Sequence, residues 1–265
     1  MTRFVAIVGA KGGVGKTTIA INLGSALTEF GREIIIVDAN ISKPNVGLNL
    51  GLTNTPKSVH TAIAGEHKLD EAIFYHPSGI RVVPCHMSID YLKHAKHNSI
   101  LKDILLDLTD KAELVLVDTA PGFGDETTEI IKATGEIILV TTPDLTAVTD
   151  CLKSARLAKE LGAKVIGVVA TKVNESDYEI TLENIETILE TPVIGVIPYD
   201  TNLLEAQHNK YPVVYTHKNS HSSIGFKKLA ANIIGEEYIP DVESNDGIVD
   251  YILKRTGVKD EVNKK

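Results

Sequence analysis

Two lysines frame a glycine-rich run, Gly9-Ala10-Lys11-Gly12-Gly13-Val14-Gly15-Lys16-Thr17-Thr18, near the start of this 265-residue chain. Glycines at 12, 13 and 15 can take backbone angles closed to other residues, so consecutive N–H groups can turn inward as a nest for an anion. The run lies between an apolar stretch, Phe4-Val5-Ala6-Ile7-Val8, and a helical pattern with apolar Ile19, Leu23, Ala26 and Leu27. Strand, loop and helix in that order aim the helix's free N–H groups and positive dipole end at the same anion. Lys16 adds a full charge suited to β- and γ-phosphates, and the Thr17 hydroxyl suits Mg²⁺. Gly12, Gly13, Val14, Gly15, Lys16, Thr17 and Thr18 are therefore expected to bind the phosphates of a nucleotide together with Mg²⁺.

The elements that must position this loop are visible as an alternation. Short Ile/Val-rich runs at Glu33–Val37, Ile80–Pro84, Leu114–Asp118, Ile137–Thr141, Val165–Ala170 and Val193–Ile197 read as fully buried strands. Between them, Ile100–Leu108, Glu126–Ala133, Val148–Leu161 and Tyr178–Leu189 have helical spacing. The pattern predicts an α/β fold, a doubly wound and mainly parallel sheet with helices on both faces, the P-loop NTPase arrangement. Ligands of such sheets gather at the carboxyl ends of strands. Asp38, closing the second strand, can orient Lys16 and the Mg²⁺ shell, or cap a turn. Asp118, closing an apolar run before Thr119-Ala120-Pro121-Gly122, has the Walker B setting in which a carboxylate holds Mg²⁺. Asn174 and Pro198 end two further strands and can flank a base, the amide at the adenine edge and the ring on its face, or form ordinary loops.

Composition narrows the class. Hydrophobic residues make up 43% of the chain, enough for a core, and Trp is absent. A net charge of −8 argues against a broad DNA-binding face, because phosphates are met by clustered Lys and Arg. Cys85 and Cys151 are the chain's two cysteines and form no CxxC, so neither a disulfide framework nor a metal knuckle is implied, and their sparseness fits a reducing cytoplasm. The first residues run straight into a strand, with no sign of a signal peptide. Residues 1–235 are expected to form one P-loop domain, 236–246 an acidic linker, and 247–265 a C-terminal helix and tail. That helix, with Ile248, Val249, Ile252 and Leu253 on one face, suits an anionic membrane surface, a partner's groove or its own domain. Tyr91–His97 reads as a solvated helix face, and His217, His221, Lys227 and Lys228 as a modest basic patch.

Lys11 is the unusual member of the loop, since the general pattern is indifferent to that position. Lys-Gly-Gly-Val-Gly-Lys-Thr-Thr, with Asp38, Asn45, Asp118-Thr119-Ala120-Pro121-Gly122 and Thr142-Pro143 followed by Asp150, resembles the MinD/ParA family of deviant Walker A ATPases, MinD-type cell-division ATPases above all. The resemblance covers Met1 to about Ile234. It implies an ATP-driven homodimer in which Lys11 reaches the partner's nucleotide, Thr17 and Asp118 hold Mg²⁺, and Asn174 meets adenine. It also implies an activator or cargo protein near Asp150, and a C-terminal helix like a membrane-targeting one. One position departs from the family pattern Asp-x-Asp: Asn40 stands where the second Asp is thought to position the attacking water. An amide can orient water but accepts no proton, so slow hydrolysis is expected, with Lys11, Lys16, Asp38 and Asn40 as the residues bearing on catalysis. A near-inactive ATP-binding scaffold, a ParA-like DNA-segregation ATPase and an iron–sulfur carrier are the alternatives. The lack of a cysteine pair speaks against the last.

Overall fold

A short run of Ile and Val has no polar face, so a strand built from it must be covered on both sides. The computed structural model, which describes residues 2–86, 101–174, 176–240 and 247–255, meets that requirement with one sheet between two helical layers. Its strands are β1 Arg3–Val8, β2 Ile34–Asp38, β3 Phe74–Tyr75, β4 Arg81–Val83, β5 Leu114–Asp118, β6 Glu136–Thr141, β7 Lys164–Val173 and β8 Val193–Pro198. The order is β3-β4-β2-β5-β1-β6-β7-β8, and only the β3–β4 pairing is antiparallel. Alternate residues serve alternate faces. Ala6, Val8, Ile35, Val37, Val115 and Val117 join the core under the helices Asp125–Thr134, Leu145–Glu160 and Leu182–Leu189. Val5, Ile7, Ile34, Ile36, Leu114 and Leu116 join the core under Lys16–Glu29 and His221–Ile234.

Chain order reverses around β1, with β5 on one side and β6 on the other, and that crevice is where open α/β sheets bind ligands. Register then matters for chemistry. Asp38 and Asp118 are direct partners across β2 and β5, so two carboxylates end side by side at the same edge of the sheet.

The structure differs from the sequence expectation at several boundaries. The two-residue strand β3 has no sequence signal of its own. The predicted helix Tyr178–Leu189 starts at Leu182, where the Thr181 hydroxyl caps it by accepting the Asn184 N–H, and Tyr178 lies outside at 98% exposed. The expected linker is fastened where described, Glu236 to Arg32 at 2.6 Å and Tyr238 edge-on to Phe30. Residues 91–97, with the Tyr91–His97 face, lie outside the described residues.

The C-terminal helix, Gly247–Arg255, packs its apolar face on its own domain, one of the three alternatives that its sequence offers. Val249 and Ile252 are buried in a cluster with Ile224, Ile248 lies against that cluster, and Tyr251 reaches the core on the other face of the sheet. The helix touches both His221–Ile234 and β8, the edge strand. An uncovered edge is an open template for another strand. Covering it in cis buries Val249 and Ile252, two members of the apolar stripe. Among the described residues no helix is long and apolar enough to cross a membrane.

Candidate nucleotide-binding site

The glycine loop leaves β1 and enters Lys16–Glu29 with Gly15 as N-cap, in the left-handed region at φ 100°, and Gly13 is left-handed at 81°. Either position would strain any residue with a Cβ. Gly12 adopts no such angle, and a Cβ there would meet nothing within 4 Å, so only two of the three expected glycines are used for their backbone freedom. The loop is held down from β7: the Thr171 hydroxyl donates to the Val14 carbonyl at 2.6 Å and lies 3.1 Å from that of Thr141. A cavity of about 400 Å³ opens over it, lined among others by Gly13, Gly15, Lys16, Thr17 and Asn40.

Below this cavity the charges are buried together. Lys16 is 7% exposed, and burial lowers its ammonium below the ordinary lysine range, with Asp118 opposing. Asp118 is fully buried and its pKa is pushed up to about 6 by desolvation, against the Thr17 bond and Lys16. Thr17 Oγ1 donates to Asp118 Oδ2 at 2.6 Å, while Asp118 Oδ1 is buried with no hydrogen-bond partner among the described residues. A hydroxyl paired to a carboxylate with one orphaned oxygen fits a hard divalent cation such as Mg²⁺. Burial and the neighbouring Asp118 raise Asp38 as well, although its oxygens accept the N–H groups of Asn40, Asn45 and Val46.

A carboxyl held near 6 in the fold and near 3.8 when unfolded destabilises the metal-free protein wherever the unfolded chain ionises first. The penalty is absent below the unfolded value, grows between the two, and is complete above about pH 6. Asp118→Asn is therefore expected to stabilise the protein in chelator by about 2–3 kcal/mol at pH 8 and by about half that at pH 5. Urea unfolding at the two pH values measures this, and a gain that is absent or independent of pH would refute it.

Asn40 is 4% exposed, and its Oδ1 accepts the Lys43 N–H at 3.2 Å, so the amide caps the turn as well as lining the cavity. Lys11 is not among the residues lining the cavity and lies 3.4 Å from Asp144, which also caps Leu145–Glu160 by accepting the Ala147 N–H. Pro198 helps wall a recess of about 80 Å³ with Gly15, Thr18, Ile197 and Leu203. Asn174 is not among its lining residues. The Asn174 amide donates to the Lys172 carbonyl and to Glu179, whose carboxylate also takes the Asn174 N–H. Asp150 pairs with Lys153 on the helix whose first residue, Leu145, is exposed. In the basic patch, Lys227 is paired with Glu29 and His217 lies 3.8 Å from Glu205. Sequence reading missed three contributors, Thr171, Asp144 and Glu126. Glu126 accepts the Ile41 N–H at 2.5 Å and the Ser42 hydroxyl at 3.0 Å.

A phosphate-binding loop at the switch point of a doubly wound parallel sheet, with buried Lys16 and Asp118 and half-buried Thr17 beneath it, defines a P-loop NTPase. The chain belongs to the ParA family: residues 1–234 match the family model described as NUBPL iron-transfer P-loop NTPase. It is 34% identical over 234 residues to an ATP-binding protein of Methanocaldococcus jannaschii, covering 88% of each chain. Among solved structures it is similar to the cell division ATPase MinD of Pyrococcus furiosus, with TM-score 0.85, 30% identity, and 89% and 99% of the two chains covered. It is also similar to the septum site-determining protein MinD of Pyrococcus horikoshii, complexed with Mg-ADP, with TM-score 0.83, 29% identity, and 88% and 96% covered. By class the chain is thus a MinD/ParA-family ATPase, with ATP and Mg²⁺ as the cofactors of that family.

Proposed function

We propose that this chain is an ATP-driven dimerising switch of the MinD type that hydrolyses ATP slowly and positions or regulates a partner protein. The observation that carries the reading is Lys11. Its side chain is not among those lining the phosphate cavity and is about half exposed, where a second subunit can meet it. In this reading Gly12–Thr18 and Lys16 hold the phosphates, Thr17 and Asp118 hold Mg²⁺, and Asp38 fixes the loop that carries Asn40. Bound there, Mg²⁺ supplies charge neutralisation on the phosphate oxygens. Pro198 and its recess take the base, and Asn174 approaches its edge once Glu179 releases the amide. The cell-division and septum-site names of the similar structures support a partner protein of spatial organisation, and in this reading it docks near Asp150. An iron carrier is disfavoured: Cys85 and Cys151 are both buried and unpaired, and no metal-binding cluster occurs among the described residues.

Light scattering with ATP and with ADP, beside single-turnover hydrolysis, tests the reading. ATP alone is expected to double the particle mass. Asn40→Asp is expected to raise hydrolysis about tenfold, less than general-base catalysis often gives, because a loose phosphoryl transition state needs little proton removal. A monomer with both nucleotides would refute the switch. A parent as fast as its Asn40→Asp variant would refute the idea that the amide is a brake.

A further inference from the structure

The loop between β2 and the Val46–Asn49 turn has no regular structure, yet most of its donors are met by side-chain oxygens. Asp38 takes the N–H groups of Asn40, Asn45 and Val46, and Asn40 takes that of Lys43. The Ile41 N–H and the Ser42 hydroxyl go to a different part of the molecule, the carboxylate of Glu126. Glu126 stands in the first turn of Asp125–Thr134, where an acid commonly serves its own helix N-terminus. Here it reaches across to the other loop. Ile41 is 2% exposed, so its N–H would be orphaned without that acceptor. The carboxylate is itself partly buried, and desolvation raises its pKa while the Ile41 and Ser42 bonds oppose.

The placement has a mechanical consequence. Glu126 belongs to the segment that follows Asp118, and Ile41 to the segment that follows Asp38. The clamp therefore ties together two segments, one leading from each buried carboxylate. Asn40, which lines the phosphate cavity, is the immediate neighbour of the clamped residue. We propose that Glu126 is a positioning residue: it locks the Asn40–Lys43 loop to the Asp118 segment and sets the rate of ATP hydrolysis without touching nucleotide. This rests on the ATPase reading above and adds to it a residue outside the cavity.

The test uses the full chain and the variants Glu126→Ala, Glu126→Gln and Ser42→Ala. Three quantities are read: single-turnover ATP hydrolysis, Mg²⁺·ADP affinity, and amide hydrogen exchange along residues 40–46. With two bonds to a carboxylate removed, Glu126→Ala is expected to hydrolyse roughly tenfold more slowly while ADP affinity stays within about twofold. Exchange at Ile41 should rise while Asn45 and Val46, held by Asp38, keep their protection. Glutamine retains an oxygen for the Ile41 N–H, so Glu126→Gln should recover to within about threefold of the parent, and Ser42→Ala should lose only about two- to threefold. Hydrolysis at the parent rate in Glu126→Ala would overturn the proposal, and so would hydrolysis and ADP affinity falling together, which marks a merely structural role. If Glu126→Ala fails to fold, Ser42→Ala decides, since it removes one of the two bonds to the same carboxylate, and hydrolysis at the parent rate in that variant overturns the proposal. If the parent itself hydrolyses nothing, the ATPase reading falls on its own. The exchange pattern of Glu126→Ala then still decides the clamp, through selective loss of protection at Ile41 or none.

Discussion

Lys16→Ala is expected to weaken Mg²⁺·ADP binding by at least about 100-fold, close to 3 kcal/mol. Lys16 is the one lysine that both lines the cavity and lies 7% exposed beneath it, so its charge meets a phosphate with little water between. Its ammonium already bears a desolvation cost, visible as a lowered pKa, and an anion arriving above it offsets that cost. Alanine removes the charge and leaves Asp118 without its cationic neighbour, which moves that carboxyl further up. The loss should thus exceed that of one exposed contact. Titration of a fluorescent ADP analogue with Mg²⁺ present measures it, with a thermal melt to show that the variant is folded. A folded Lys16→Ala protein binding within about threefold of the parent would remove Lys16 from the phosphate site.

Much of the fold was readable because parallel strands announce themselves. Ile34–Val37, Leu114–Val117 and Ile137–Val140 are buried on both faces, and nothing but continuous apolar runs satisfies that. Phe74–Tyr75 makes an antiparallel pair at the sheet edge with both residues exposed, so burial left no pattern to find. The phosphate loop and Asp118 were visible for a related reason: their geometry is set within a few residues by glycine angles, a helix start and a strand end. Glu126 and Thr171 were not, because their bonds join positions 85 and 157 residues apart and a tertiary pairing has no local signature. The C-terminal helix falls between these cases. Its spacing shows that Val249 and Ile252 share a face, but amphipathicity says only that a face is covered, and Ile224 supplies the cover here. Asn174 makes the same point for polar groups, since its residue type suits a base edge while Glu179 occupies its amide.

Lys11→Ala is expected to abolish the ATP dimer, weakening it at least about 1,000-fold, while ADP affinity stays within about threefold. The argument turns on what holds Lys11 in the single subunit. Its partner Asp144 lies 3.4 Å away, and the two side chains are 45% and 47% exposed. An ion pair so open to water is worth at most about 1 kcal/mol, so releasing the lysine costs little. A contact from the same ammonium to a phosphate inside a closed interface is charge-assisted and desolvated, worth about 2–3 kcal/mol, and a symmetric dimer makes it twice. Asp144→Asn is the complementary variant. It frees Lys11 without removing its charge, and Asn still caps the helix, so the dimer should be unchanged or up to about fivefold tighter. Light scattering across a protein concentration series, with ATP under conditions that block turnover, reads both. If Lys11→Ala dimerises at the parent concentration, Lys11 acts within its own subunit or not at all, and the switch must draw its nucleotide dependence from the loops around Asn40 and Asp118.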